Sequence, residues 1–250
     1  MKIMVIGAHP ADAIDLAGGA IARHHRNMVD DIMILSVTDG INSHTQGDYD
    51  INEKRQELIT AVSCLQFKKS LIDVTFMGLQ DEPLIVNSAC ISDIIERIRN
   101  FKPDMLISHH PNEYAHWDHA EAGKMVCRAL KGAIKRPGDK WWVPDVYFFA
   151  TQFRPEVARL GYNPLAPNVL IDIEDVIHKK VEAMCCFKSQ GHNDKSLMWD
   201  RMNSMENEMG RSDGLKYAEG FISYYPLKER KLPISSINKA FYIKGDKNGE

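Results

Sequence analysis

Short apolar runs alternate with stretches of helical periodicity along most of this chain, and no other feature restricts its fold as strongly. Lys2–Ala8, Asp31–Val37, Ile72–Met77 and Asp104–Ser108 read as strands, and Val146–Ala150 and Val169–Ile173 as two more. Between and after them, Leu16–Asn27, Asn52–Leu65, Ser88–Asn100, Ala120–Lys131, Glu174–Phe187 and Ser196–Met209 carry helical spacing. Strands that are apolar throughout must be covered on both faces, and a strand–helix order achieves this by parallel pairing with helices above and below. The expected fold class is α/β: a Rossmann-like single domain over residues 1–244, mainly parallel in its sheet, with a polar tail at 245–250. A chain of 250 residues can enclose one large core. The stretch with Pro155, Gly161, Pro164 and Pro167 reads as a loop or flap.

Composition narrows the function classes. A net charge of −3 with no dense Lys/Arg run argues against a nucleic-acid surface. No stretch approaches the ~20 apolar residues that span a bilayer, and the chain opens directly into Lys2–Gly7, so neither a membrane span nor a signal peptide is expected. Five cysteines without CxxC spacing read as reduced thiols of a cytoplasmic protein, the adjacent Cys185 and Cys186 as helix residues facing different neighbours. The expected partners are a small-molecule substrate and further copies of the chain in a homo-oligomer.

The polar residues then fall in a telling order. In an open parallel sheet, ligands bind beyond the carboxyl ends of the strands, at a topological switch point. His9 and Asp12 follow the first strand, Asp39 to His44 the second, and His109 to His119 the fourth. A lone HxxD or HxxH pair is weak. Two such pairs, each directly after a strand, read as one divalent-metal site. Imidazole with carboxylate suits zinc, and a catalytic zinc keeps three protein ligands and an open position. His9, Asp12 and His119 are the expected ligands, and Zn²⁺, one ion per chain, the expected cofactor.

The same residues carry a family resemblance. Gly7-Ala8-His9-Pro10-Ala11-Asp12, Ala17-Gly18-Gly19 and Tyr114-Ala115-His116-Trp117-Asp118-His119 are similar to motifs of the PIG-L/LmbE zinc-dependent de-N-acetylases. Lys179-Lys180, Ser189-Gln190 and Tyr217-Ala218-Glu219-Gly220-Phe221 resemble that family's C-terminal elements. The resemblance implies metal held by His9, Asp12 and His119. It implies that His116 acts as an electrostatic or acid group near the reacting carbonyl, oriented by Asp118, and that Tyr114 helps stabilise the oxyanion.

One departure matters. The family pattern is His-Pro-Asp-Asp, and its first Asp is the general base; here that position is Ala11. Loss of a positioned base typically costs ~10²–10⁴-fold in rate. An Ala at this place resembles the 4-oxalomesaconate hydratase branch, which adds water to an unsaturated dicarboxylic keto acid. That likeness is also incomplete. Thr38-Asp39-Gly40-Ile41-Asn42 replaces a Glu-containing turn, and Gln152 stands near where that branch has a histidine.

Asp39, His44, His110 and Glu113 are candidates for the missing base, and Asp39, at the end of the second strand, is the best placed; its other reading is a Thr-Asp-Gly turn former. His110, His44 and Asn112 are expected to face substrate, although His44 also reads as solvated and Asn112 also as a turn cap. Arg55 and Glu57 read as ordinary surface residues, and His24-His25 as a solvated helix face. Gly18-Gly19 lacks the GxGxxG pattern and reads as close helix–sheet packing. Three functions compete: a metal-dependent hydrolase of an N-acetyl amide on a small polar or sugar-like molecule, a hydratase of a small unsaturated keto acid, and a zinc-site protein without turnover.

Overall fold

The computed structural model describes residues 1–26, 31–43, 47–67, 72–150, 166–211 and 213–226. His44, Gln152, most of the expected flap and the 245–250 tail lie outside them. Among the described residues, seven strands form one sheet. They are β1 Lys2–Gly7, β2 Asp31–Thr38, β3 Asp73–Leu79, β4 Met105–Ser108, β5 Asp145–Phe149, β6 Val169–Asp172 and β7 Ala218–Ser223. The helices are α1 Asp12–Arg26, α2 Ile51–Leu65, α3 Ser88–Phe101, α4 Trp117–Lys135, α5 Ile177–Met184 and α6 Lys195–Arg211.

The strand order is β3-β2-β1-β4-β5-β7-β6. Strands β1 to β5 pair in parallel, and β7 runs antiparallel to both β5 and β6. Alternation along β1 divides the core between the two faces. Ile3 and Val5 join one apolar cluster with α1, α2, α5 and α6; Met4 and Ile6 join another with α3 and α4. Met198 and Met202 of the methionine-rich α6 are buried in the first cluster. No described helix is long and apolar enough to cross a membrane.

The sheet is thus α/β and mainly parallel, as expected. Strand β7 is an addition: Glu219 and Gly220 interrupt the apolar run that would have marked it. Helices α1 and α4 begin at Asp12 and Trp117, earlier than the expected Leu16 and Ala120. The expected helix over 174–187 shortens to Ile177–Met184, with a separate 3₁₀ turn at Lys188–Gln190.

Close packing at Gly19 is confirmed: a Cβ there would lie 2.6 Å from the Ile173 side chain. The Gly19 and Ala20 N–H groups donate to the Glu219 carboxylate, each at 2.8 Å. Beside them the buried Lys180 ammonium donates to Glu206 and Glu219, each at 2.7 Å. Two residues expected at the surface have interior duties. Glu57 accepts from the Ser189 N–H and hydroxyl, at 2.8 and 2.6 Å, tying α2 to the 3₁₀ turn. His25 is buried, and its Nδ1 accepts from the Phe67 N–H at 3.1 Å.

Candidate metal centre

After β1 the chain crosses to β2 on one side, whereas β4 pairs with β1 on the other. The switch point therefore lies between the carboxyl ends of β1 and β4, where a crevice opens. His9 follows β1 and His109 follows β4. Each loop then turns at once into a helix whose first turn carries Asp12 (α1) or Asp118 and His119 (α4). The His9 N–H donates to Asp12 Oδ2 at 2.7 Å. His116 caps α4, its Nδ1 accepting from the Asp118 N–H at 3.2 Å.

Asp12 is the hub. Its carboxylate lies 2.9 Å from His109 Nε2, 3.4 Å from His9 Nδ1 and 3.5 Å from His119 Nε2. Two overlapping donor groups result, His9–His116–His119 and Asp12–His109–His119, each with ligand atoms within 4.8 Å of one another. A ring of carboxylates supports them. Glu113 Oε2 hydrogen-bonds His119 Nδ1, which turns the Nε2 of that ring toward Asp12. Asp118 Oδ2 lies 3.3 Å from His9 Nε2, and its two oxygens accept from the Glu82 and Leu84 N–H groups, each at 2.8 Å.

Electrostatics follow from this crowding. Burial works against charging His9, but Asp12 and the Asp118 hydrogen bond outweigh it and raise its pKa to about 9. Burial likewise opposes His119, and Asp12 with Glu113 raise it to about 10. Asp12 is buried too, yet His119, His9 and His109 hold its carboxyl well below the usual range. Burial, with the neighbouring His119, pushes His109 down to about 4. Two imidazoles that hold protons against burial, facing one buried carboxylate, form a donor set that fits a divalent cation.

The structure thus brings His9, Asp12, His116 and His119 together. The Asp118 carboxylate, expected to orient His116, lies 3.3 Å from His9 Nε2, and the Asp118 backbone N–H donates to His116 Nδ1. Tyr114 is half-buried in the loop that leads into α4. Of the pair His109-His110, His109 turns inward. His110 packs edge-on against Phe148 at 5.2 Å, and its Nδ1 accepts from the N–H of the exposed Asn112 at 3.1 Å. Asp39 is buried at the end of β2, but Arg55 grips its carboxylate through Nε at 2.7 Å and Nη2 at 3.0 Å. Arg55 is therefore no idle surface residue, and both Asp39 carboxylate oxygens are engaged by it. Glu113, another candidate base, is occupied by His119.

The sequence expects one of His109-His110, which precede Pro111 at the end of the fourth strand, to point inward, and it is His109. Glu82 escaped the sequence reading: its Oε1 lies 3.2 Å from His116 Nε2, reached from the loop after β3.

Residues 4–130, half of the chain and every element that builds the centre, match the family model described as PIG-L: GlcNAc-PI de-N-acetylase. The chain belongs to the PIG-L family. Among its PIG-L relatives is 4-oxalmesaconate hydratase of Pseudomonas putida, 25% identical over 89% of each chain. Another is the probable N-acetyl-alpha-D-glucosaminyl L-malate deacetylase 2 of Bacillus subtilis, 26% identical over 75% of this chain and 82% of that one. The crystal structure of the 4-carboxy-2-hydroxymuconate hydratase from Pseudomonas putida shares the fold. Its TM-score is 0.75 at 24% identity, covering 93% of this chain and 99% of that one. The PIG-L fold thus serves both amide hydrolysis and hydration among the relatives.

Proposed function

We propose that this protein is a zinc-dependent hydrolase that removes an N-acetyl group from a small polar or sugar-like amine. The observation that carries the reading is the placement of His9, Asp12 and His119 at the switch point of a PIG-L sheet, the Asp12 carboxylate 3.4 Å from His9 Nδ1 and 3.5 Å from His119 Nε2. These three residues would hold the ion. Zinc in such a site supplies Lewis acidity toward an amide carbonyl and acidifies water toward a pKa of ~7. The protein residues do the rest. Glu113 and Asp118 fix the rings of His119 and His9. His116 stands beside both rings, at 4.9 and 4.7 Å between centroids, placed to protonate a leaving amine. Tyr114 would serve the oxyanion, and His110 and Asn112 would contact the substrate.

Ala11, together with similarity to a hydratase over 89% of the chain, favours a second reading: water addition to an unsaturated dicarboxylic keto acid. That substrate calls for cations at the rim. Among the described residues there, Arg55 is engaged by Asp39 and the Lys54 ammonium by the Gly40 carbonyl. The remaining side chains named around the centre are carboxylates, imidazoles, Tyr114 and Asn112, a lining that suits hydroxyls and an amine product. The reaction runs in the cytoplasm on this reading, in keeping with five free thiols.

The deciding experiment gives the zinc-loaded protein N-acetylated amino sugars and, separately, unsaturated keto diacids. Acetate release is expected. Hydration without acetate release would replace the first reading by the second, and zinc binding without either reaction would leave the third.

A further inference from the structure

The site holds histidines in plenty, yet its base position is the Ala11 methyl, and the carboxylates that surround the ligands are bound to them. One carboxylate reaches the reacting side by another route. Glu82, in the turn that passes through a cis bond to Pro83, has a left-handed backbone, φ +47°. Among the described residues only Lys102, at the end of α3, shares a positive φ outside glycine.

Its surroundings hold it there. The preceding Asp81 accepts from the Asn42 and Ser43 N–H groups at 2.9 and 2.7 Å. Asp118 accepts from the Glu82 and Leu84 N–H groups, each at 2.8 Å. The side chain, 44% exposed, points back to His116 Nε2 at 3.2 Å. The other ring nitrogen of His116 is committed to the start of α4, so Nε2 is the nitrogen that serves the site. Held by neighbours on both sides, the turn aims the Glu82 carboxylate at that nitrogen.

We propose that Glu82 is the catalytic carboxylate of this site and performs the proton transfer for which Ala11 has no group. The inference rests on the hydrolase reading above. Glu82 takes one proton from water as the water oxygen bonds to the acetyl carbonyl carbon. The carbon–nitrogen bond then breaks with its electron pair left on nitrogen, nitrogen takes a proton from His116 Nε2, and Glu82 restores His116 by passing on the proton it took from water. Acetate leaves, the second water proton passing to solvent or to the freed amine.

The test uses the full chain loaded with zinc and an N-acetylated amino sugar, in wild type, Glu82→Gly and Glu82→Gln. Glycine adopts positive φ without strain. Glu82→Gly is therefore expected to melt at or above the wild-type temperature with unchanged zinc content, while kcat falls ~10²-fold or more and KM stays within a few-fold. Glu82→Gln keeps a hydrogen-bond acceptor for His116 and is expected to lose the same rate with unchanged zinc content. Retention of kcat in either folded variant overturns the proposal. Absence of acetate release from wild type overturns the hydrolase reading itself, and this proposal with it.

Discussion

Asp12 faces three imidazoles, and that crowding sets how the centre takes up a cation. The pKa values of His9, about 9, and His119, about 10, both lie above the ordinary 6.5. Their protonated forms contribute stability that is fully present below pH 6.5 and is lost as the pH rises through about 9 and about 10. A divalent cation takes the place of those protons, so its affinity rises over the same window. The gap in melting temperature between zinc-loaded and zinc-free protein is expected to widen from pH 6.5 to 10, and a constant gap would contradict the assigned ligands. His119→Ala is expected to lose the ion outright by elemental analysis. Ala11→Asp is expected to fold, because the Ala11 carbonyl already opens α1 by accepting from the Ile14 and Asp15 N–H groups, and Asp favours that capping place. With Glu82 already carrying the proton transfer, the variant's acetate release is expected to stay within a few-fold of wild type; a rise of ~10²-fold would mean that the natural protein lacks a working base. The centre was half legible in the sequence. His9, Asp12, His116 and His119 stand in two short patterns after apolar runs. Glu82 and the Arg55 grip on Asp39 are not local patterns: one depends on a backbone angle, the other on two elements meeting.

Elements were legible where apolar periodicity runs uninterrupted. The centres of β1 to β6 were, and α3 differs by a single residue at its end. The starts of α1 and α4 were not, because their first turns carry the polar residues of the centre, so the apolar repeat begins a turn late. The same geometry yields a test. In α4, a Cβ on Gly123 would lie 2.6 Å from the His109 carbonyl oxygen and 2.8 Å from backbone atoms of His110 and Pro111. Backbone cannot step aside there, so Gly123→Ala is expected to cost about 1–3 kcal/mol in denaturant titration and to weaken zinc binding by shifting His109 and α4. Gly132→Ala, farther along the helix, would meet the Ile95 side chain, which can rotate, and is expected to cost less and spare the ion. Equal losses in both properties would argue against this account of α4.

At the scale of the molecule, the sheet is held to its helices by a buried charge cluster as well as by apolar packing. Lys180 and Arg201 face Asp15, Glu206 and Glu219; Arg201 Nη2 lies 2.6 Å from Asp15 Oδ2. Removing the Lys180 ammonium alone leaves the buried Glu206 and Glu219 carboxylates without the cation that neutralises them. Lys180→Met is therefore expected to destabilise by about 3–5 kcal/mol, read from the denaturation midpoint, and Lys180→Met with Glu219→Gln by less. None of this was visible in the sequence beyond the Lys179-Lys180 and Tyr217–Phe221 resemblances, since the cluster joins residues that are up to 204 positions apart, Asp15 to Glu219.

The partners of Lys180 also come late. Every proposed metal ligand has left the ribosome once residue 119 is free, and α1 is complete far earlier. Glu219, which holds the Gly19 and Ala20 N–H groups and neutralises Lys180, emerges a hundred residues afterwards. Vectorial folding during synthesis therefore stops short: the nascent chain carries its metal ligands on an unfinished scaffold until its last described strand is made.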